Sequence, residues 1–123
     1  MRLPTLTVSP ADPTKLDREI NQWGDGSHHY RVTLTYDGRS MSTCYHMGSA
    51  HTKGPKLLNV LDSLFLDSDC GADFEDFCAN SGYDTDSRRA ERTYKACVSI
   101  GIRLRKVLGA DYDAIQEYVR KAQ

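Results

Sequence analysis

With 123 residues, 39% of them hydrophobic, and a net charge of −1, the chain can bury one core unaided and lies outside the range of disordered segments. No apolar run approaches the ~18 residues of a membrane span, and the opening MRLPTLTVSPADP lacks the apolar centre of a signal peptide. A cytoplasmic protein is therefore expected, with reduced cysteines at 44, 70, 78 and 97 whose spacing forms no CxxC pair.

Leu3 to Val8 reads as a short strand, weakened by Pro4 and ended by Pro10. Asp12-Pro13 is an N-cap followed by proline, and Leu16, Ile20 and Trp23 suit a short helix before Gly24-Asp25-Gly26. The clearest β signal comes next. Tyr30, Val32, Leu34 and Tyr36 alternate with polar residues, Asp37-Gly38 is a hairpin turn, and Met41, Thr43, Tyr45 and Met47 continue the period of two. One hairpin is marginal alone, so its apolar face must pack on helices, with Leu3–Val8 as a candidate third strand.

Residues 48–55 form a turn-rich connection. Leu57, Leu58, Val60, Leu61, Leu64 and Phe65 then mark a core-facing helix. Asp73 suits the N-cap of a short helix carrying Phe74, Phe77 and Cys78 and ending at Gly82. Asp86 is the expected N-cap of a long helix ended by Gly109, whose missing Cβ permits a left-handed C′ conformation. In that helix Ala90, Tyr94, Cys97, Gly101, Leu104 and Leu108 fall within roughly ±40° of one line. Arg88, Arg92, Lys95, Ser99, Arg103 and Lys106 lie opposite. Asp111 opens a terminal helix with Ile115, Tyr118 and Val119 inward. The expected architecture is one α+β domain: a hairpin or three-stranded antiparallel sheet within residues 1–54, packed against about four helices, with residues 55–123 as the helical region.

The near-neutral total conceals a segregation. Eight acids and no Lys or Arg lie between Leu57 and Ser87: Asp62, Asp67, Asp69, Asp73, Glu75, Asp76, Asp84 and Asp86. From Arg88 to Leu108 seven basic residues face one acid, Glu91. So many carboxylates without local counter-charge repel one another unless they cap helices or meet a cationic surface. Asp73 and Asp86 have expected capping duties, whereas Asp67, Asp69, Glu75, Asp76 and Asp84 have none. The basic stripe offers a second reading, a helix face that tracks phosphates, but no aromatic residues interleave it for stacking.

Other chemistry is weaker. DSDCGADFED fails the calcium-loop pattern, because Gly71, Ala72 and Cys78 occupy positions that need an acid or amide, glycine and glutamate. Cys44 and His46 share a strand face and His51 comes five residues later, a candidate ligand set for a metal-dependent enzyme. No nucleophile elbow or phosphate-cradling glycine loop is present. Neither catalysis nor a cofactor is expected.

The run FEDFCANSGYDTDSRRAERTYKAC, with the preceding hairpin YRVTLTYDGRSM and CYHMGSAH, resembles small proteins of bacteriophages and other mobile elements. The resemblance implies a phage protein acting against host defence, with anti-CRISPR proteins as the model case. It implies a non-enzymatic inhibitor that binds a host CRISPR–Cas effector complex. The acidic segment adds the expected mode, occupation of a basic groove in competition with nucleic acid, with Asp67, Asp69, Asp73, Glu75, Asp76 and Asp84 as the partner-binding residues. Neither membrane association nor direct nucleic-acid binding is expected of it. The alternatives are a small phage nucleic-acid-binding regulator using Arg88, Arg92, Lys95, Arg103 and Lys106, and the metal-dependent enzyme around Cys44, His46 and His51.

Overall fold

The computed structural model describes residues 2–10, 29–46 and 55–122. It is an α+β arrangement in which a three-stranded antiparallel sheet packs against helices. The strands are β1 (Thr5–Pro10), β2 (His29–Tyr36) and β3 (Arg39–His46), in the order β1-β2-β3. The helices are α1 (Leu57–Ser68), α2 (Phe74–Ser81), α3 (Arg88–Leu108) and α4 (Tyr112–Ala122), with a 3-10 turn at Gly109–Asp111 before α4. The expected helix entered at Asp12-Pro13 and carrying Leu16, Ile20 and Trp23 lies outside the described residues, as do Met47 and the 48–54 connection.

The hairpin forms where the alternation places it. Asp37 and Gly38 take φ of 52° and 78° between the paired residues Tyr36 and Arg39, the double left-handed turn that matches strand twist and that Asp-Gly adopts at low cost. The register pairs Leu6 with Leu34, Val8 with Val32, and Leu34 with Met41. One sheet face therefore collects Val32, Leu34, Tyr36, Met41 and Thr43, all buried. This face packs against α1, α3 and α4, and Leu61, Leu104, Leu108 and Ile115 sit fully buried at the centre. Removing such apolar area from water stabilises the fold by roughly 25 cal/mol per Å².

In α3 the buried arc differs from the expected stripe. Ala90, Cys97, Leu104 and Leu108 are buried as expected, but Thr93, Ala96, Ile100 and Val107 join them, while Tyr94 and Gly101 are only half-buried. At 100° per residue the arc is centred roughly 50° from the expected line. The cause is a double contact. On one flank α3 meets the sheet, with the Arg103 guanidinium donating to the Ser42 carbonyl at 2.8 Å. On the other it meets α1 so closely that a Cβ at Gly101 would lie 3.3 Å from Ser68 Cβ.

Several termini also differ. Ser87, not Asp86, caps α3, its hydroxyl accepting from the Ala90 N–H at 3.1 Å. Asp111 does not start α4. It lies in the 3-10 turn, and its carboxylate accepts the Tyr36 hydroxyl at 2.6 Å, tying the hairpin end to the α3–α4 junction. Arg39 donates through Nε to the Val107 carbonyl at 3.0 Å, satisfying one of the acceptors left open at the end of α3. In α4, Ile115 and Val119 are buried, but Tyr118 is 43% exposed. Tyr112 takes the inward position instead, edge-on to Phe65 with centroids 5.2 Å apart.

Candidate functional site: an acidic surface and its cavity

The site is built where α1 ends, α2 crosses and α3 begins. A small apolar cluster of Phe77, Cys78, Ala90 and Cys97, flanked by Cys70, Phe74, Tyr83 and Tyr94, pins α2 to the first half of α3. Phe74 and Phe77 each approach the Tyr94 ring at 5.4 Å, and Phe77 stacks on Tyr83 at 5.8 Å with planes 19° apart. Burial of this amphipathic face turns the polar face of α2 and its flanking turns outward.

The structure divides the six expected partner-binding residues into three groups. Asp73 and Asp76 work on the fold: Asp73 Oδ1 accepts from the Asp76 N–H at 2.8 Å, and Asp76 Oδ2 accepts from the Ala72 N–H at 3.0 Å. Together they close the N-terminus of α2. The expectation that Asp76 has no capping role is thus corrected. Glu75 and Asp84 are exposed at opposite ends of α2, a helix about 12 Å long. The Asp84 backbone carbonyl accepts from the Ser87 N–H at 3.1 Å, leaving its side chain to solvent.

Asp67 and Asp69 form the third group and line one cavity of about 270 Å³ between α1, α2 and α3. Leu66, Cys70, Phe77, Tyr83, Thr93 and Cys97 contribute to its walls. Asp69 also borders a smaller groove of about 170 Å³ with Asp62, Gln116 and Arg120. Leu66, 68% exposed, is common to both. Asp67 is half-buried, and burial alone pushes its carboxyl up from 3.8 to about 6. It has no hydrogen-bond or ion-pair partner among the described residues.

The ion pairs of the described residues lie elsewhere: Arg2 and Arg39 with Asp37, Lys95 with Glu91, and Arg120 and Lys121 with Glu117. None of the eight acids between Leu57 and Ser87 takes part in one. No family model, curated protein or solved structure matches this chain. Its function must be read from its own geometry.

The basic face of α3 is partly committed internally. Arg103 is held on the Ser42 and Ser99 carbonyls. Lys95 donates to Glu91 at 2.9 Å, a contact that lowers the Glu91 pKa through that hydrogen bond and the lysine charge. Arg88, Arg92 and Lys106 remain exposed.

For the metal reading, Cys44 is buried on the sheet face opposite Val32 and Leu34, paired with Arg31 in the register. The His46 side chain and His51 lie outside what is described. Among the described residues no group of three or more His, Cys, Asp or Glu could hold a metal ion, and no helix is long and apolar enough to cross a membrane. None of the four cysteines is in a disulfide, and burial together with the Asp84 charge pushes the Cys78 thiol up, away from the reactive thiolate.

Sequence reasoning did not find the cavity, because Thr93 and Tyr83 carry no motif and Cys97 reads as core. The one available signal was Leu66, an apolar residue at the edge of the α1 stripe with no buried position to fill.

Proposed function

We propose that this chain is a non-enzymatic inhibitor that binds a nucleic-acid-handling effector of host defence, with a CRISPR–Cas complex as the target class. The binding surface runs from the end of α1 through α2 to the turn before α3. The observation carrying this reading is that, among the described residues, no ion pair forms on the eight acids between Leu57 and Ser87, although basic residues are abundant in the adjoining helix. Carboxylates left uncompensated on a surface raise self-repulsion and offer a field complementary to a cationic groove. A protein groove that holds DNA or RNA is lined with Arg and Lys, so this surface competes for it. Asp69, Glu75 and Asp84 supply the field, Asp67 acts from within the cavity, and Asp73 with Asp76 holds α2 in place. The internal use of Arg103 and Lys95 favours this surface over the basic face as the interacting one.

A competition experiment tests the proposal. The effector complex is immobilised with and without its target DNA, and the protein is passed over both. Capture by the DNA-free complex and exclusion by the DNA-filled one is expected. Equal capture by both would place binding away from the nucleic-acid groove and refute the competitive mechanism.

A further inference from the structure

We propose that the cavity between α1, α2 and α3 is a socket for an arginine side chain of the protein partner, an inference that rests on the proposed function and deepens it. Three features point to that occupant. First, Asp67 stands half-buried in the wall with no hydrogen bond or ion pair among the described residues. A desolvated carboxylate without donors is a costly arrangement that a cation relieves. Second, Phe77 and Tyr83 stack nearly parallel along the same wall, 5.8 Å apart. Both line the cavity, so aromatic carbon borders the space that a planar cation would enter. Third, among the described residues no Lys, Arg or His lines the cavity, so no side chain there already supplies the missing charge.

These features select among cations. A metal ion would need more ligands, and no set of three is present among the described residues. An ammonium group is a compact, strongly hydrated point charge that loses much hydration on entering such a space. A guanidinium is planar and more weakly hydrated, stacks on aromatic faces, and offers a two-pronged donor edge to a carboxylate. Asp69 is exposed and also lines the cavity, adding to the attraction as the side chain enters. Arginine is also the residue with which nucleic-acid grooves commonly grip phosphate. One side chain of such a groove would therefore find in Asp67 a replacement for its phosphate.

The socket titrates. Asp69 and Cys70 face Asp67 from the α1–α2 turn, Tyr83 from beyond α2, and Cys97 from α3. Tyr45 on β3 also senses it, its hydroxyl pKa raised by burial and then by Asp62 and Asp67. None of these groups is cationic; Asp69 adds a second carboxylate at the mouth, and ionisation of Asp67 supplies the charge in the wall that the guanidinium meets.

The test uses the full chain and N-acetyl-arginine methylamide as the probe, monitored by amide chemical shifts in a two-dimensional NMR spectrum. Saturable shifts are expected at Tyr83, Thr93 and Cys97, and none with the alanine analogue. Asp67→Asn should weaken the probe roughly tenfold or more, as for a buried charge pair that loses one partner. Asp113→Asn, exposed on α4 and outside both the cavity and the acidic segment, should leave binding unchanged. Below about pH 6 affinity should fall by up to roughly tenfold per pH unit as the carboxylate protonates. Absence of shifts at the cavity, or binding that Asp67→Asn leaves intact, would overturn the assignment. The probe needs no effector, so the two readings fail separately. Probe binding without effector capture would sink the proposed function and leave the arginine socket standing. Effector capture without probe binding would do the reverse.

Discussion

Asp67→Asn should make the protein more stable, and only above a defined pH. The carboxyl ionises near 3.9 in an unfolded chain, whereas burial pushes it to about 6 in the folded one. Between those values the folded state binds the proton more tightly, so stability falls as pH rises from about 4 to about 6 and stays at the lower level beyond. A pKa difference of ~2 corresponds to at most about 3 kcal/mol of destabilisation by the charged form at neutral pH. Asparagine keeps the size and removes the charge, but its desolvated amide costs part of that gain, leaving about 1–2 kcal/mol. Urea denaturation of both proteins from about pH 4 to pH 7.5 measures the difference directly. The two curves should coincide near pH 4 and separate, with the variant more stable, as pH passes 6. A variant no more stable at neutral pH, or one whose gain is the same at every pH, would refute the claim that Asp67 is desolvated without a partner. A carboxylate held at a stability cost fits the trade-off between stability and function expected of a binding residue.

Three further outcomes are expected from the packing. Leu104→Ala should cost about 2–5 kcal/mol because Leu104 is fully buried between α3 and its neighbours; Tyr94→Ala, which loses two aromatic contacts from a half-buried site, should cost less in the same thermal melt. Ser87→Ala should cost about 1 kcal/mol and Asp86→Ala close to nothing, and equal losses would return the cap of α3 to Asp86. Asp76→Asn should lower the thermal midpoint by weakening the acceptor for the Ala72 N–H, whereas Glu75→Gln should not; a midpoint unchanged by Asp76→Asn would remove its capping role.

The sheet and the existence of each described helix were legible because they rest on local signals. Alternation from Tyr30 to Tyr36, the Asp-Gly turn, the Asp73 cap and the Gly82 stop act within a few residues of one another. The orientation of α3 was not legible. Its buried arc is set by two neighbours, the sheet and α1, and Thr93, Ala96 and Ile100 become core only once both are in place. Ser87 beside Asp86 illustrates a local ambiguity, since both are good caps and a one-residue choice depends on how the turn docks. Charge segregation showed where the candidate site lies but not how its members differ. That Asp76 caps, Glu75 does not, and Asp67 turns into a cavity depends on side-chain placement that spacing alone does not encode.

The most direct test of the central claim is the association rate of an Asp69→Asn, Glu75→Gln, Asp84→Asn variant with an immobilised CRISPR–Cas effector complex, at low and at physiological salt. All three side chains are exposed and make no ion pair among the described residues, so the fold should hold. Association should slow by roughly tenfold or more at low salt and lose most of its salt dependence, as when steering charges are removed. A folded variant that associates as fast as the unmodified protein at both salt concentrations would contradict the acidic-surface account.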